Sequence, residues 1–281
     1  MAASPTSTAI RRRSAPARAA PPPAPARRRE PGDDRGHVGP ARMSEPALSS
    51  RTITSARGTV LLDLDGTISD PAGGVYASFR YALEQIGKPW PDGEPLAWII
   101  GPPLRESFML LLDDPEKTAQ ALQHYRTHYA AGALYDNRLY PGITEAIGAL
   151  VEDGFRLYVA TSKLVSFAEK IVTRFGLAPR FERVYGSSLD GRIDQKADII
   201  AMCLGTEDID PETCIMVGDR EHDVNGARAN GLDCIGVTWG FGGAEELTAA
   251  QALALCEWPA DLPGLIRQVI DARLALLPSE A

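Results

Sequence analysis

No apolar stretch in this 281-residue chain approaches the roughly 20 residues that a bilayer-spanning helix needs, which argues against a membrane role. Cysteine is scarce. Cys203, Cys214, Cys234 and Cys256 stand without a C-x-x-C pair or regular spacing. That argues against a disulfide framework or a zinc site and fits reduced, mostly buried thiols in a cytoplasmic protein. A basic surplus is also missing, the net charge being -8. Residues 1–50 hold nine arginines against four acids, so the rest of the chain carries about -13. Such a surface is a poor partner for a nucleic-acid polymer, whose phosphates need positive charge. No internal repeat is present.

What remains is the composition of a globular protein, 44% hydrophobic and 23% charged, long enough for one large domain or two modest ones. The first fifty residues stand apart. They contain nine prolines and eleven alanines and almost no large apolar side chains. They cannot bury enough surface to offset the entropy of ordering, so residues 1–50 are expected to be disordered. Three explanations compete: a basic tail for an anionic partner, an Arg-rich targeting peptide, or a stretch upstream of a true start at Met43. The last is the expected one, because Met43-Ser44-Glu45 opens a short, ordinary leader into the first strand.

From residue 58 the pattern changes. Gly58-Thr-Val-Leu-Leu-Asp-Leu64 reads as a buried strand. Residues 73–87 read as a helix, with Tyr76, Phe79, Leu83 and Ile86 on one face and Gly87 as the stop. A Pro- and Gly-rich loop over 88–103 leads to helices near 104–112 and 115–132. Beyond Pro141-Gly142, strands near 156–161, 183–187, 214–218 and 234–238 alternate with helices over 143–153, 165–176, 195–204 and 222–230. This alternation predicts an α/β fold, a parallel sheet covered on both faces, with ligands bound beyond the carboxyl ends of its strands. Residues 51–70 and 141–281 are expected to form that core. Residues 71–140, helical and without a strand–helix unit, are expected to form a small inserted domain hinged near residues 70 and 140.

The informative residues lie at strand ends. Asp63 and Asp65, followed by Gly66 and Thr67, close the first strand, and carboxylates two positions apart can do different jobs at one site. The same residues also suit a plain turn or a fragment of a calcium loop. Thr161-Ser162 closes the second strand and suits either a phosphate oxygen or a helix N-cap. Lys196 opens a helix after the third, where a cation opposes the helix dipole; a solvated surface lysine is the ordinary alternative. Asp219 and Asp223 follow the fourth, and four carboxylates converging on one crevice would repel unless a hard cation such as Mg2+ neutralised them.

These residues carry a resemblance. Asp63-Leu-Asp-Gly-Thr67, Thr161, Lys196 and Gly218-Asp-Arg-Glu-His-Asp223 follow in order the four motifs of the haloacid dehalogenase-like hydrolases, over roughly residues 58–270. The resemblance implies a Rossmann-like, doubly wound core and makes the helical insertion similar to the small cap of the phosphoglycolate phosphatase-like branch. Gly101-Pro-Pro-Leu104, Thr161-Ser-Lys163 and Trp239-Gly-Phe-Gly242 look like a subgroup named for phosphoglycolate phosphatase or 5′-nucleotidase.

By that resemblance Asp63 is the nucleophile and Asp65 the acid and base. Mg2+ would be held by Asp63, Asp65 (through its carbonyl), Asp219 and Asp223. Thr161 and Lys196 would bind phosphoryl oxygens, with Gly66, Thr67, Ser162 and, from the cap, Arg105 as further substrate contacts; Arg105 is equally a surface helix residue. A carboxylate at 65 disfavours dehalogenation, Gly218 in place of Glu disfavours a mutase, and the cap lysines Lys88 and Lys117 are poorly placed for a phosphonatase. The implied protein is a cytoplasmic Mg2+-dependent phosphatase of small phosphorylated metabolites, a monomer or homodimer. The phosphoglycolate phosphatase-like reading leads, with 5′-nucleotidase as the alternative. From another class come a non-catalytic binding or regulatory protein on the same fold and a phosphoacceptor that holds its phosphate.

Overall fold

The computed structural model describes residues 56–88, 90 and 96–276. The expectations for residues 1–50 lie outside the described residues. β1 (Gly58–Leu62) is buried at every position because both faces of its sheet are covered. Val60 and Leu62 point into one apolar layer and Leu61 into the other, the period of two that a strand imposes. β1 pairs in parallel with β4 (Phe155–Leu164) and β6 (Cys214–Gly218). The sheet continues to β5 (Arg183–Ser187) on one side and to β7 (Asp233–Val237) and β8 (Ala254–Cys256) on the other, giving the order β5-β4-β1-β6-β7-β8.

The helices divide between the faces. α4 (Ile143–Glu152), α5 (Val165–Arg174) and α9 (Leu262–Leu274) contribute Ile147, Ile171 and Ile266 to the first layer. α6 (Lys196–Glu207), α7 (Glu221–Ala229) and α8 (Gly243–Ala249) contribute Ile199, Val224 and Leu247 to the second. This is the doubly wound α/β fold expected. The four cysteines are buried thiols, and no helix of the described residues is long and apolar enough to cross a membrane.

The helical insertion follows the first strand, as expected. β2 (Ser69–Asp70) and β3 (Arg138–Leu139) pair antiparallel where the chain leaves and re-enters the core. Between them lie α1 (Ala72–Gln85), α2 (Leu104–Leu112) and α3 (Pro115–Ala130). Asp114 caps α3 by accepting from the Glu116 and Lys117 amides at 3.0 and 3.1 Å, with Pro115 at the first helical position where its missing N–H costs nothing. Aromatic rings fill the insertion and reach the core: Phe79 stacks on Phe108 at 4.3 Å, and Tyr129 meets Phe167 of α5 edge-on at 5.2 Å.

The helix-cap alternative for Thr161-Ser162 needs correction, and one strand went unexpected. Thr161-Ser162 does not open a helix, because β4 runs on to Leu164 through a register shift and α5 begins at Val165. The strand expected near 234–238 is β7, and a further strand, β8, follows it, too short at three residues for a periodic pattern to announce it.

Candidate active site

Because β1, β4 and β6 are parallel neighbours, the residues that follow them meet at one edge of the sheet. Asp63 comes directly after β1, its amide donating to the Val217 carbonyl at 2.9 Å, so its carboxylate is aimed by the sheet itself. Asp219 comes directly after β6. Lys196, the first residue of α6, reaches in from the β5 side. Its Nζ donates to Asp63 Oδ1 at 2.7 Å and to the Ala160 carbonyl at 2.9 Å, and lies 2.8 Å from Asp223 Oδ1. All four groups are at most 4% exposed.

Close approach here requires missing side chains. Gly66 has φ +94, a conformation that favours glycine, and a Cβ there would strike the Asp219 carboxylate. A Cβ on Gly218 would strike Asp223. Asp219 is held from two sides: Thr67 Oγ1 donates to Oδ1 at 3.3 Å and the Phe241 amide to Oδ2 at 2.8 Å. Trp239 Nε1 donates to the Thr67 carbonyl at 3.0 Å, so the Trp239–Gly242 segment clamps the acid cluster. Asp223 Oδ2 accepts from the Arg220 amide at 3.1 Å, which fixes it at the start of α7.

Burial pushes the Asp219 carboxyl well above the usual carboxylate range, with Asp223 and Asp63 adding repulsion. Burial also drives Asp223 up, to about 6, against the pull of Lys196. The Lys196 ammonium is disfavoured by burial, yet Asp223 and Asp63 overcome this and raise it above its ordinary value. Asp65 is raised by burial, with Lys163 as the main opposing influence.

Asp63, Asp219 and Asp223 offer oxygens that all lie within 4.8 Å of one another. With Asp65 they make four carboxylates against two ammonium groups, Lys163 and Lys196. The surplus is the charge of one divalent cation, and the donors are hard oxygens. The residues therefore fit Mg2+.

A cavity of about 80 Å3 opens beside this cluster, under the insertion. Asp63, Asp65, Thr161, Ser162 and Arg105, five of the ten expected residues, line it, and Lys196, Asp219 and Asp223 stand in the cluster beside it. Gly66 and Thr67 instead lie behind Asp219 as its support. Thr161 Oγ1 accepts from the Lys163 amide at 3.3 Å. The Ser162 hydroxyl is buried without a partner among the described residues.

Three contributors were not singled out from the sequence. Lys163 forms an ion pair with Asp65, its side chain only 7% exposed, and lies 4.9 Å from the Tyr129 ring centroid. Arg126 lines the cavity from α3. Arg220 is buried between Glu246, at 2.8 Å, and the Ile100 carbonyl of the insertion. Only the Thr-Ser-Lys and Gly-Asp-Arg strings hinted at the first and last; nothing in the local sequence marks Arg126.

Comparison with known proteins agrees with this geometry. A profile of haloacid dehalogenase-like hydrolases matches residues 60–237. The chain is 44% identical over 214 residues to a 5′-nucleotidase from Pseudomonas aeruginosa, covering 76% of this chain and 95% of that one. It is 41% identical over 186 residues to tyrosine-protein kinase PtkA from Mycobacterium tuberculosis, covering 66% of this chain and 64% of that one. A crystal structure described as a predicted phosphatase from Clostridium acetobutylicum superposes with a TM-score of 0.72 at 38% identity, over 77% of this chain and 100% of that one. A profile match across most of the sheet, joined to acids at the ends of β1 and β6, means that the chain belongs to the haloacid dehalogenase-like hydrolase family, as a phosphatase within it.

Proposed function

We propose that this phosphatase hydrolyses small phosphomonoesters with Mg2+, through an aspartyl-phosphate intermediate on Asp63, in the manner of a phosphoglycolate phosphatase. The observation that carries the reading is the unequal treatment of two neighbouring carboxylates. Asp63 is clamped through Oδ1 by Lys196, which leaves Oδ2 to attack phosphorus. Asp65, raised by burial, has Oδ1 without a partner among the described residues. It gives its proton to the leaving alcohol as the P–O bond breaks, then takes one from the water that cleaves the aspartyl phosphate. Inorganic phosphate leaves and Asp63 is regenerated.

Lys196 offsets the repulsion between Asp63 and the incoming phosphate, and Thr161 and Ser162 offer hydroxyls to its oxygens. Asp63, Asp219, Asp223 and the Asp65 carbonyl would hold Mg2+, which when bound supplies charge neutralisation to the phosphoryl group. Arg105 meets the substrate from the cap, taken as residues 71–140. We place the protein in the cytoplasm, as a monomer or homodimer acting on a small phosphorylated metabolite.

The cavity is lined by Arg105 and Arg126 as well as by Asp63, Thr161 and Ser162, which suits a small anionic ester. A 5′-nucleotidase remains the second reading, favoured by the 44% identity to a protein of that name. The kinase relative matches over only 64% of its own length, and its activity is not carried over.

The test is phosphate release from p-nitrophenyl phosphate, 2-phosphoglycolate and AMP. Activity is expected with Mg2+ and its loss on chelation; wild-type protein inactive on every ester with Mg2+ would overturn the reading in favour of a binding protein. Stability should report the same site. Because the folded pKa of Asp223 is raised, the metal-free protein binds the extra proton. Its stability contribution therefore falls as pH rises from about 4 through about 6. The rise in Tm on adding Mg2+ is expected to grow across that window.

Lys163 offers a second check. Lys163→Met removes the main influence holding Asp65 down, so the alkaline limb of the kcat/KM profile should move to higher pH, with Lys163→Arg restoring it. A limb that stays in place would separate Lys163 from Asp65 function.

A further inference from the structure

The cavity beside Asp63 has a second end, and its charge is opposite. Arg105 of α2 and Arg126 of α3 both line it. Arg126 Nη1 donates to the Leu189 carbonyl at 3.1 Å. The Arg105 guanidinium lies 3.6 Å from where a Cβ on Gly191 would be. Two helices of the insertion thus set two guanidiniums on the same short core stretch, residues 189–191. Arg126 is half-buried, gives up hydration and is repelled by Arg105, which is itself exposed.

Nearby carboxylates are engaged elsewhere, and Asp194, which lines the same cavity, accepts from Gln195 at 3.2 Å. Asp190 pairs with Arg192 at 3.2 Å, and Glu106, next to Arg105, accepts from Gln195 at 2.6 Å. Among the described residues neither Arg105 nor Arg126 forms a salt bridge with any carboxylate. Two converging guanidiniums without a counter-ion, on the wall of a cavity that ends at a phosphoryl-transfer site, match what a ligand anion needs.

We propose that Arg105 and Arg126 form a distal anion subsite, and that the preferred substrates are short phosphomonoesters whose leaving group carries a second anion, a carboxylate or a phosphate. This rests on the phosphatase reading above. Lys196, with Mg2+ when bound, would offset the charge at one end of such a substrate, and the arginine pair receives the other. Substrates of one negative end leave the pair unsatisfied.

The experiment compares kcat/KM of the full chain with Mg2+ for phosphoryl compounds that differ in the distal group: 2-phosphoglycolate, the anhydride pyrophosphate, ethyl phosphate with no distal charge and phosphoethanolamine with a distal cation, with AMP as the bulky ester. The wild type is expected to favour an anionic member over ethyl phosphate by roughly 10- to 100-fold, the range for a hydrogen bond to a charged group. 2-Phosphoglycolate leading identifies a carboxylate as the distal group, and pyrophosphate leading identifies a phosphate. In Arg105→Gln/Arg126→Gln the ratio of 2-phosphoglycolate to ethyl phosphate is expected to fall toward one, chiefly through KM, and Arg126→Lys to keep part of it.

Equal rates for the charged and uncharged esters in the wild type, or AMP as the best substrate, would overturn the subsite. A double variant slowed equally on all esters, with the ratio kept, would overturn it too, since that is the signature of a cap contact alone. No turnover of any ester would instead be the failure of the phosphatase reading, a different result.

Discussion

Asp63→Asn is expected to lower phosphate release on the order of 10^4-fold or more while leaving the fold intact, because an amide cannot attack phosphorus. The substitution is nearly isosteric, and its carbonyl oxygen can still accept from Lys196, which also keeps its pairing with Asp223, now 2.8 Å away. One negative charge leaves a cluster that holds a surplus of them, so the Tm should not fall. Acid-quenched samples given substrate should carry covalent phosphate in the wild type and none in the variant. A variant that still forms the phosphoenzyme would remove Asp63 from the nucleophile's role and with it the mechanism proposed.

Lys196→Met should be worse for the protein than for the chemistry alone. The ammonium is 4% exposed and neutralises two buried carboxylates. Removing one partner of a buried ion network leaves uncompensated charge, at a cost of about 3–5 kcal/mol, or a Tm lower by roughly 6–20 °C for a domain this size. The sign with pH follows from the raised lysine pKa: the stabilisation is complete at neutral pH and fades only above the ordinary lysine range. Mg2+ should recover part of the stability, because it supplies charge to the same carboxylates, while activity stays lost. Thermal melts with and without Mg2+ check both statements. A melting point within a degree or two of wild type would show that Asp63 and Asp223 do not depend on Lys196.

How much of this was legible before the chain was folded depends on distance along it. Asp63, Thr161, Lys196 and Asp219 could be read because each follows a strand, and a parallel sheet delivers strand ends to one edge. Lys163 stands two residues from Thr161, yet its partner Asp65 is 98 positions away, and no periodicity encodes that pairing. Thr161 and Ser162 suited either a phosphate contact or a helix cap, because hydroxyls serve both; the register shift that keeps β4 extended to Leu164 exists only through its pairing with β5. Arg126 looks like one charged residue among several on α3, and only the packing of that helix over residues 189–191 gives it a purpose.

The sequence by itself determined the sheet order's raw material, the insertion after the first strand, and the acids and lysine of the candidate site. These are local facts: side-chain period, strand ends, and residue types whose chemistry is the same wherever they stand. Tertiary structure alone decided the charge balance, with four carboxylates against two ammonium groups, the clamp of Trp239 and Phe241 on Asp219, and the cation pair across the cavity. Those depend on burial and on contacts between residues far apart in the chain, and desolvation has no value until the surrounding atoms are in place.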